Sequence, residues 1–248
     1  MNSVVGGLQW GVDRMLAVGY GVLYDYIFEK FPPYRQLTSE IVELLESTVA
    51  SGARRRELNV LDVACGPGSM TVTLAEAGFS VTGVESYGAL VDLAREKRRA
   101  QRLTSVAFRH GDLARGNTFK PSSFDLLVNV HSLYVHQRPD ALLREAWQVL
   151  KPGGHGVFVN RTRPVNDWRT IREAQSRDGL PAALRSLLWV VPNAIFEAAR
   201  KRSGSPHYWN EEKFGSELRA AGFTLLTMRR TFLHGSSLLA FVRKDAER

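Results

Sequence analysis

The chain has 248 residues, a formal net charge of +8 and a hydrophobic fraction of 44%. That length suits one α/β domain with a sizeable core and an appended cap, and the hydrophobic fraction is ordinary for a globular protein. No apolar run is long enough to span a bilayer, and no signal peptide is expected. The single cysteine, Cys65, excludes an internal disulfide and suits a reducing cytoplasm, the expected location.

Residues 1–50 precede the core. Gly6, Gly7, Gly11, Gly19 and Gly21 predict a loose, loop-like start. Tyr20, Leu23, Tyr24, Ile27 and Phe28 then recur at helical spacing as an apolar stripe. Pro32-Pro33 is expected to break that element, with Thr38-Ser39 capping the next helix over 40–49.

Val60-Leu61-Asp62-Val63 reads as a buried strand of a parallel sheet. Ala64-Cys65-Gly66-Pro67-Gly68-Ser69 turns the chain into a helix over 70–77, and a second strand over 79–84 delivers Glu85 to its C-terminal end. Such a strand–turn–helix–strand–acid unit binds an adenosine-containing cofactor at the carboxyl edge of the sheet. Gly66 and Gly68 let the backbone approach the ligand because neither carries a Cβ. Glu85 can accept both ribose hydroxyl protons. The third glycine of a dinucleotide fingerprint is missing, since Thr71 stands in its place, and there is no P-loop. Asp62 would serve a pyrophosphate poorly but would tolerate a sulfonium or an amino group. Cys65 reads as a small residue filling the turn, because no base is tied to it by sequence.

A helix over 87–102 follows, and the third strand, 106–108, brings Gly111-Asp112-Leu113 to the sheet edge. The fourth strand is Phe124-Asp125-Leu126-Leu127-Val128-Asn129, continuing into a loop from Val130 to His136. A helix over 140–150 leads through Leu150-Lys151-Pro152-Gly153-Gly154 into the fifth strand, 155–160. Residues 161–209 exceed a plain crossover and contain an apolar helical stretch with Leu184, Leu187, Leu188, Val191, Ile195 and Phe196. Asn210 caps a helix that Gly222 ends, and strands over 224–232 and 238–243 close the chain.

Asp62-Val63-Ala64-Cys65-Gly66-Pro67-Gly68, Glu85, Gly111-Asp112-Leu113, the fourth strand and Leu150–Gly154, in that order, resemble the class I S-adenosylmethionine-dependent methyltransferases. The resemblance covers roughly residues 57–160. It implies a Rossmann-like α/β fold: a seven-stranded, mostly parallel sheet with helices on both faces and the last strand antiparallel. Residues 1–50 would be an N-terminal helical lid and 51–248 the core, with 161–209 an inserted helical cap after the fifth strand. It implies S-adenosylmethionine as cofactor, S-adenosylhomocysteine as product, and cofactor contacts from Tyr24, Asp62, Ala64, Gly66, Gly68, Glu85, Ser86, Asp112, Leu113, Asn129 and Val130. Tyr20 and Tyr24 would contribute to the lid. Asp112 would accept from the adenine amine, its alternative role being that of a turn residue.

Ligands of α/β sheets lie beyond the carboxyl ends of the strands, so the loop after the fourth strand is where methyl group and acceptor meet. Its catalytic candidates are His131, Tyr134 and His136, of which His131 and His136 are candidate bases where an acceptor proton must leave; pocket shaping is the alternative. His207 and Tyr208 are candidates for the acceptor pocket or for helix-entry packing. The six histidines show no metal-ligand spacing, and no metal is expected.

The acceptor is expected to be a small or lipid-like molecule, methylated on oxygen, nitrogen or carbon. Three of the four basic clusters, Arg54–Arg56, Arg95–Arg102, Arg200–Arg202 and Arg229–Arg230, fall away from the carboxyl edge, which argues against a nucleic-acid substrate. RNA methylation and a non-catalytic cofactor-binding role are the alternatives. The apolar stretch over 184–196 reads as a cap packed on the core, a dimer face or a peripheral membrane contact, so a monomer or a homodimer is expected, cytoplasmic or peripheral at a membrane.

Overall fold

The computed structural model describes residues 19, 31–49, 54–163, 169, 171–172, 175–176, 179–180, 184, 187 and 207–246. In chain order these form α1 (Pro32–Glu46), β1 (Asn59–Val63), α2 (Ser69–Glu76), β2 (Ser80–Glu85), α3 (Gly88–Ala100), β3 (Val106–His110), α4 (Leu113–Gly116) and β4 (Phe124–Val130). A 3-10 turn over Leu133–Val135 leads to α5 (Pro139–Val149), β5 (Leu150–Arg161), α6 (Glu211–Ala220), β6 (Thr224–Thr231) and β7 (Ser237–Arg243).

The strands make one seven-stranded sheet in the order β3-β2-β1-β4-β5-β7-β6. The β1, β2, β3, β4 and β5 pairings are parallel, and β7 runs antiparallel to both β5 and β6. The connection 232–236 is too short for a crossover, so β7 must return alongside β6. The strand order reverses between β1 and β4, which places a crevice beyond their carboxyl ends.

Alternate residues of each strand feed opposite layers. Val60, Leu126, Val128, Val157 and Val159 pack with Tyr34, Leu37, Ile41 and Leu45 of α1 and with Met70 and Leu74 of α2. Leu61, Val63, Leu127 and Phe158 pack with Leu142, Leu143 and Ala146 of α5 and with Phe214 and Leu218 of α6. Side chains buried this completely contribute about 1.5–3 kcal/mol each.

Three local readings change. The helix read over 40–49 starts earlier, at Pro32: Pro32 and Pro33 occupy the first turn of α1, where a missing N–H costs nothing and φ is already helical. Thr38 is interior and donates to the Tyr34 carbonyl at 2.8 Å, so it caps nothing. The Pro152–Gly154 turn lies inside β5, as an irregularity whose backbone pairs with Lys244 just beyond β7. Gly19 is helical, while Tyr20, Tyr24 and most of 161–206 lie outside the described residues.

Candidate active site

The turn after β1 is bent by three left-handed residues, Ala64 (φ 57°), Gly66 (φ 56°) and Gly68 (φ 84°). Only glycine suits position 68, because a Cβ there would stand 2.6 Å from the Phe108 ring. A Cβ at Gly66 would meet nothing within 4 Å, so that backbone borders open space. Ala64 has no such freedom, and left-handed φ costs a non-glycine residue about 1–2 kcal/mol. Strain of this kind collects at ligand clamps.

Glu85 staples the turn to β2. It is buried, and its carboxylate accepts from Gly66 N at 3.0 Å, Tyr87 N at 2.9 Å and the Ser86 hydroxyl at 3.1 Å. A carboxylate offers about four acceptor positions, so a ribose diol would share or displace the exposed Ser86 hydroxyl. Asp62 is buried on β1 and accepts from the Thr71 hydroxyl at 2.6 Å. Burial pushes its pKa up to about 7, helped by the Glu85 charge and opposed by the Thr71 hydrogen bond. Burial and the same two carboxylates also raise the Cys65 thiol well above its usual value, which makes it a packing residue with no thiolate character.

Asp112 caps α4, accepting from Ala114 N at 2.9 Å, and its other oxygen faces Arg115 Nε at 3.5 Å. His136 Nε2 lies 3.2 Å from Asp112 Oδ1, while Arg138 N donates to His136 Nδ1 at 3.0 Å. An accepting Nδ1 puts the ring proton on Nε2, which donates to Asp112. Both nitrogens of His136 are thereby engaged within the protein. Leu113 is buried directly after Asp112.

At the end of β4, Asn129 Nδ2 donates to the Val63 carbonyl at 2.9 Å and to the Ser132 hydroxyl, tying β1 to the following loop. Its Oδ1 is buried and has no partner among the described residues. Val130 and then His131 follow, and His131 takes φ 52°. The His131 ring stands between the Tyr34 hydroxyl, 3.3 Å from Nδ1, and the Ser237 hydroxyl, 2.9 Å from Nε2. Burial, and secondarily the Arg161 charge, hold its pKa well below the usual range, so the ring is neutral. Tyr134 stacks on Tyr208 at 6.0 Å between ring centroids, and the buried Arg161 guanidinium lies 5.3 Å from the Tyr134 ring. His207 N donates to the Tyr134 carbonyl at 2.6 Å.

The structure thus gathers Asp62, Ala64, Gly66, Gly68, Glu85 and Ser86 at the β1–β2 edge, Asp112, Leu113 and His136 beside α4, and Asn129, Val130, His131 and Tyr134 above β4. Tyr24 is outside the described residues. Asn160, Arg161, Tyr34 and Ser237 escaped the sequence reading. The polar pair Asn160-Arg161, directly after the apolar Val157-Phe158-Val159, was a usable signal at a strand's carboxyl end; Tyr34 and Ser237 carried none. Three basic side chains form ion pairs at the surface: Arg55 with Glu46, Arg229 with Glu40 and Arg230 with Glu211. Among the described residues no three His, Cys, Asp or Glu side chains form a group that could hold a metal.

The family described as methyltransferase domain matches residues 60–154. A demethylmenaquinone methyltransferase of Listeria welshimeri is 30% identical over 167 residues, spanning 62% of this chain and 70% of that protein. The fold is shared with the 4+2 cyclase SpnF, at TM-score 0.65 and 18% identity over 95% of this chain and 96% of that one. It is shared also with the N-methyltransferase NodS from Bradyrhizobium japonicum, solved with S-adenosylhomocysteine, at TM-score 0.58 and 20% identity over 88% and 90% of the two chains. The chain belongs to the class I S-adenosylmethionine-dependent methyltransferases.

Proposed function

We propose that this enzyme methylates a lipophilic, hydroxylated aromatic acceptor, a phenol or quinol, seated beyond β4 and β5. The observation that carries this reading is the Tyr134–Tyr208 stack with the buried Arg161 guanidinium beside it. Aromatic walls suit a planar ring, and a buried cation favours an ionised ring oxygen. The Listeria relative, named for demethylmenaquinone, supports the same acceptor class.

The residues present fit the cofactor: open space at the Gly66 Cβ position, the Glu85 carboxylate at the end of β2, and an unpartnered Asn129 Oδ1. When bound, S-adenosylmethionine supplies a sulfonium methyl group for in-line displacement. Glu85 would hold the ribose, Asp112 the adenine edge, and Asp62 and Asn129 the polar end of the methionine portion. Much of the acceleration then comes from positioning.

His131 is a weak base, because burial and the Arg161 charge hold its pKa well below the usual range and its ring nitrogens face two hydroxyls. Arg161 would act instead by lowering the pKa of the ring hydroxyl, so that its proton is lost to solvent as the acceptor binds.

Delivery of a lipid-like acceptor at a membrane surface is the companion reading. Leu180, Leu184 and Leu187 fall at helical spacing and are 62%, 59% and 38% exposed, on a chain of net charge +8. Among the described residues no helix is long and apolar enough to cross a membrane. Cosedimentation with anionic but not with neutral vesicles tests this; no sedimentation with either overturns it.

The acceptor reading is tested by incubating the protein with methyl-labelled cofactor and a demethylated naphthoquinol. Label in the ring product supports it. Turnover of water-soluble amines with none of the quinol overturns it.

A further inference from the structure

Asn160 is 1% exposed, and among the described residues neither Nδ2 nor Oδ1 of its carboxamide has a hydrogen-bond partner. Leaving a buried donor or acceptor unmade costs about 1–3 kcal/mol, and native proteins rarely keep such a group without a use for it. Among the described residues the surroundings offer no structural reason for an amide. Val157, Phe158 and Val159 precede it, all fully buried, and its partner across β7 is the buried Leu238. By strand alternation Asn160 shares the face of Phe158, which packs against Phe223 at 5.3 Å. Leucine would satisfy this position better than asparagine.

Its place in the fold supplies the use. Asn160 is the penultimate residue of β5, at the carboxyl edge where ligands of parallel sheets sit. The next residue, Arg161, reaches the Tyr134 ring. Asn129 on the adjoining strand gives the contrast, because its Nδ2 is anchored to Val63 and Ser132 while its Oδ1 is open. The Asn160 amide is anchored at neither end.

We infer that Asn160 is an acceptor-binding residue, whose carboxamide donates to and accepts from one hydroxyl of the aromatic acceptor. The inference rests on the proposed acceptor class and adds the group that reads it. A hydroxyl is both donor and acceptor, and so satisfies both ends of a single amide. A site built in this way rejects analogues lacking the hydroxyl, because the amide would then be buried unpaired. The conflict with packing follows: Asn160 lowers the stability of the free protein and raises its selectivity.

The test uses full-length protein loaded with S-adenosylhomocysteine, titrated with 1,4-dihydroxynaphthalene and with 1,4-dimethoxynaphthalene. Wild type is expected to prefer the dihydroxy compound at least tenfold. Asn160→Leu is expected to lose that preference to within threefold, with unchanged S-adenosylhomocysteine affinity and an equal or higher Tm. Asn160→Ser, which keeps a small polar side chain but is too short to hold both contacts, is expected to lose most of the preference and serves where the leucine variant does not fold. If wild type shows the preference and both variants retain it, Asn160 is a structural residue and the acceptor reading stands. If wild type binds neither compound, the acceptor reading fails and this inference fails with it. A fall in Tm for Asn160→Leu with the preference intact would assign the amide to a buried water.

Discussion

His136 and Asp112 hold each other, with Nε2 of the histidine 3.2 Å from Oδ1 of the aspartate. The histidine comes from the loop after β4 and the aspartate from the turn after β3. The contact therefore joins the loop where the acceptor is proposed to lie to the acid proposed to read adenine. It also removes His136 from the pool of general bases, since Arg138 N occupies its other nitrogen.

His136→Ala should weaken cofactor binding several-fold and leave kcat at saturating cofactor within about twofold. Calorimetry with S-adenosylhomocysteine, together with saturation kinetics, separates the two. A loss of kcat of two orders of magnitude at unchanged affinity would restore His136 as a base.

Glu85→Gln should reduce cofactor affinity at least tenfold, about 1.4 kcal/mol. Glutamine keeps one acceptor oxygen and must turn its amide toward either Gly66 N–H or Tyr87 N–H, both of which are donors. One partly buried donor then faces an amide N–H, so Tm should also fall by a few degrees. Unchanged affinity would place the ribose elsewhere.

Asp62 makes stability depend on pH. Its carboxyl is raised to about 7 in the folded protein from an ordinary value of 3.8, so between these values the native state binds more protons than the unfolded chain. Stability of the free protein should therefore fall as pH rises from about 4 to about 7 and level off above that. Asp62→Asn should raise Tm more at pH 8 than at pH 5. A pH-independent difference between the two proteins would mean that Asp62 is ionised throughout.

Gly68→Ala places a Cβ 2.6 Å from Phe108 Cζ on a backbone at φ 84°. Left-handed strain and overpacking together predict a loss of about 2–5 kcal/mol, seen as a lower Tm and denaturation midpoint. Adding Phe108→Leu should recover the steric part only. Full recovery would show that backbone strain at this residue is negligible.

Arg161→Gln should lower kcat/KM for a phenolic acceptor by about ten- to a hundredfold at pH 7, consistent with removal of one charge-stabilising group. Without the cation the acceptor hydroxyl ionises less readily, so the rise of rate with pH should move to higher pH. An unshifted profile would limit Arg161 to packing against Tyr134.

The order of the elements could be read directly because each signal is local. Val60–Val63 and Phe124–Val128 are apolar runs, each interrupted by a single aspartate (Asp62 and Asp125), that suit strands buried on both faces. Asn210 does cap its helix, accepting from Lys213 N at 2.8 Å, as its position before Glu211 suggested. The start of α1 at Pro32 was missed because proline both ends one helix and begins another, and the packing of Tyr34, Leu37 and Ile41 is what extends the helix back to it.

The sequence by itself determined the sheet, the glycine turn, the acid at the end of β2 and, through them, the family. Tertiary structure alone decided what the histidines do. His131 meets Tyr34 across 97 residues and Ser237 across 106, and His136 meets Asp112 across 24. It also decided that Asn160 is buried with no partner among the described residues while Asn129 is tied down. Apolar periodicity and turn chemistry are written in neighbouring residues. Desolvation and hydrogen-bond pairing depend on which distant groups the fold brings together, and no local pattern encodes them.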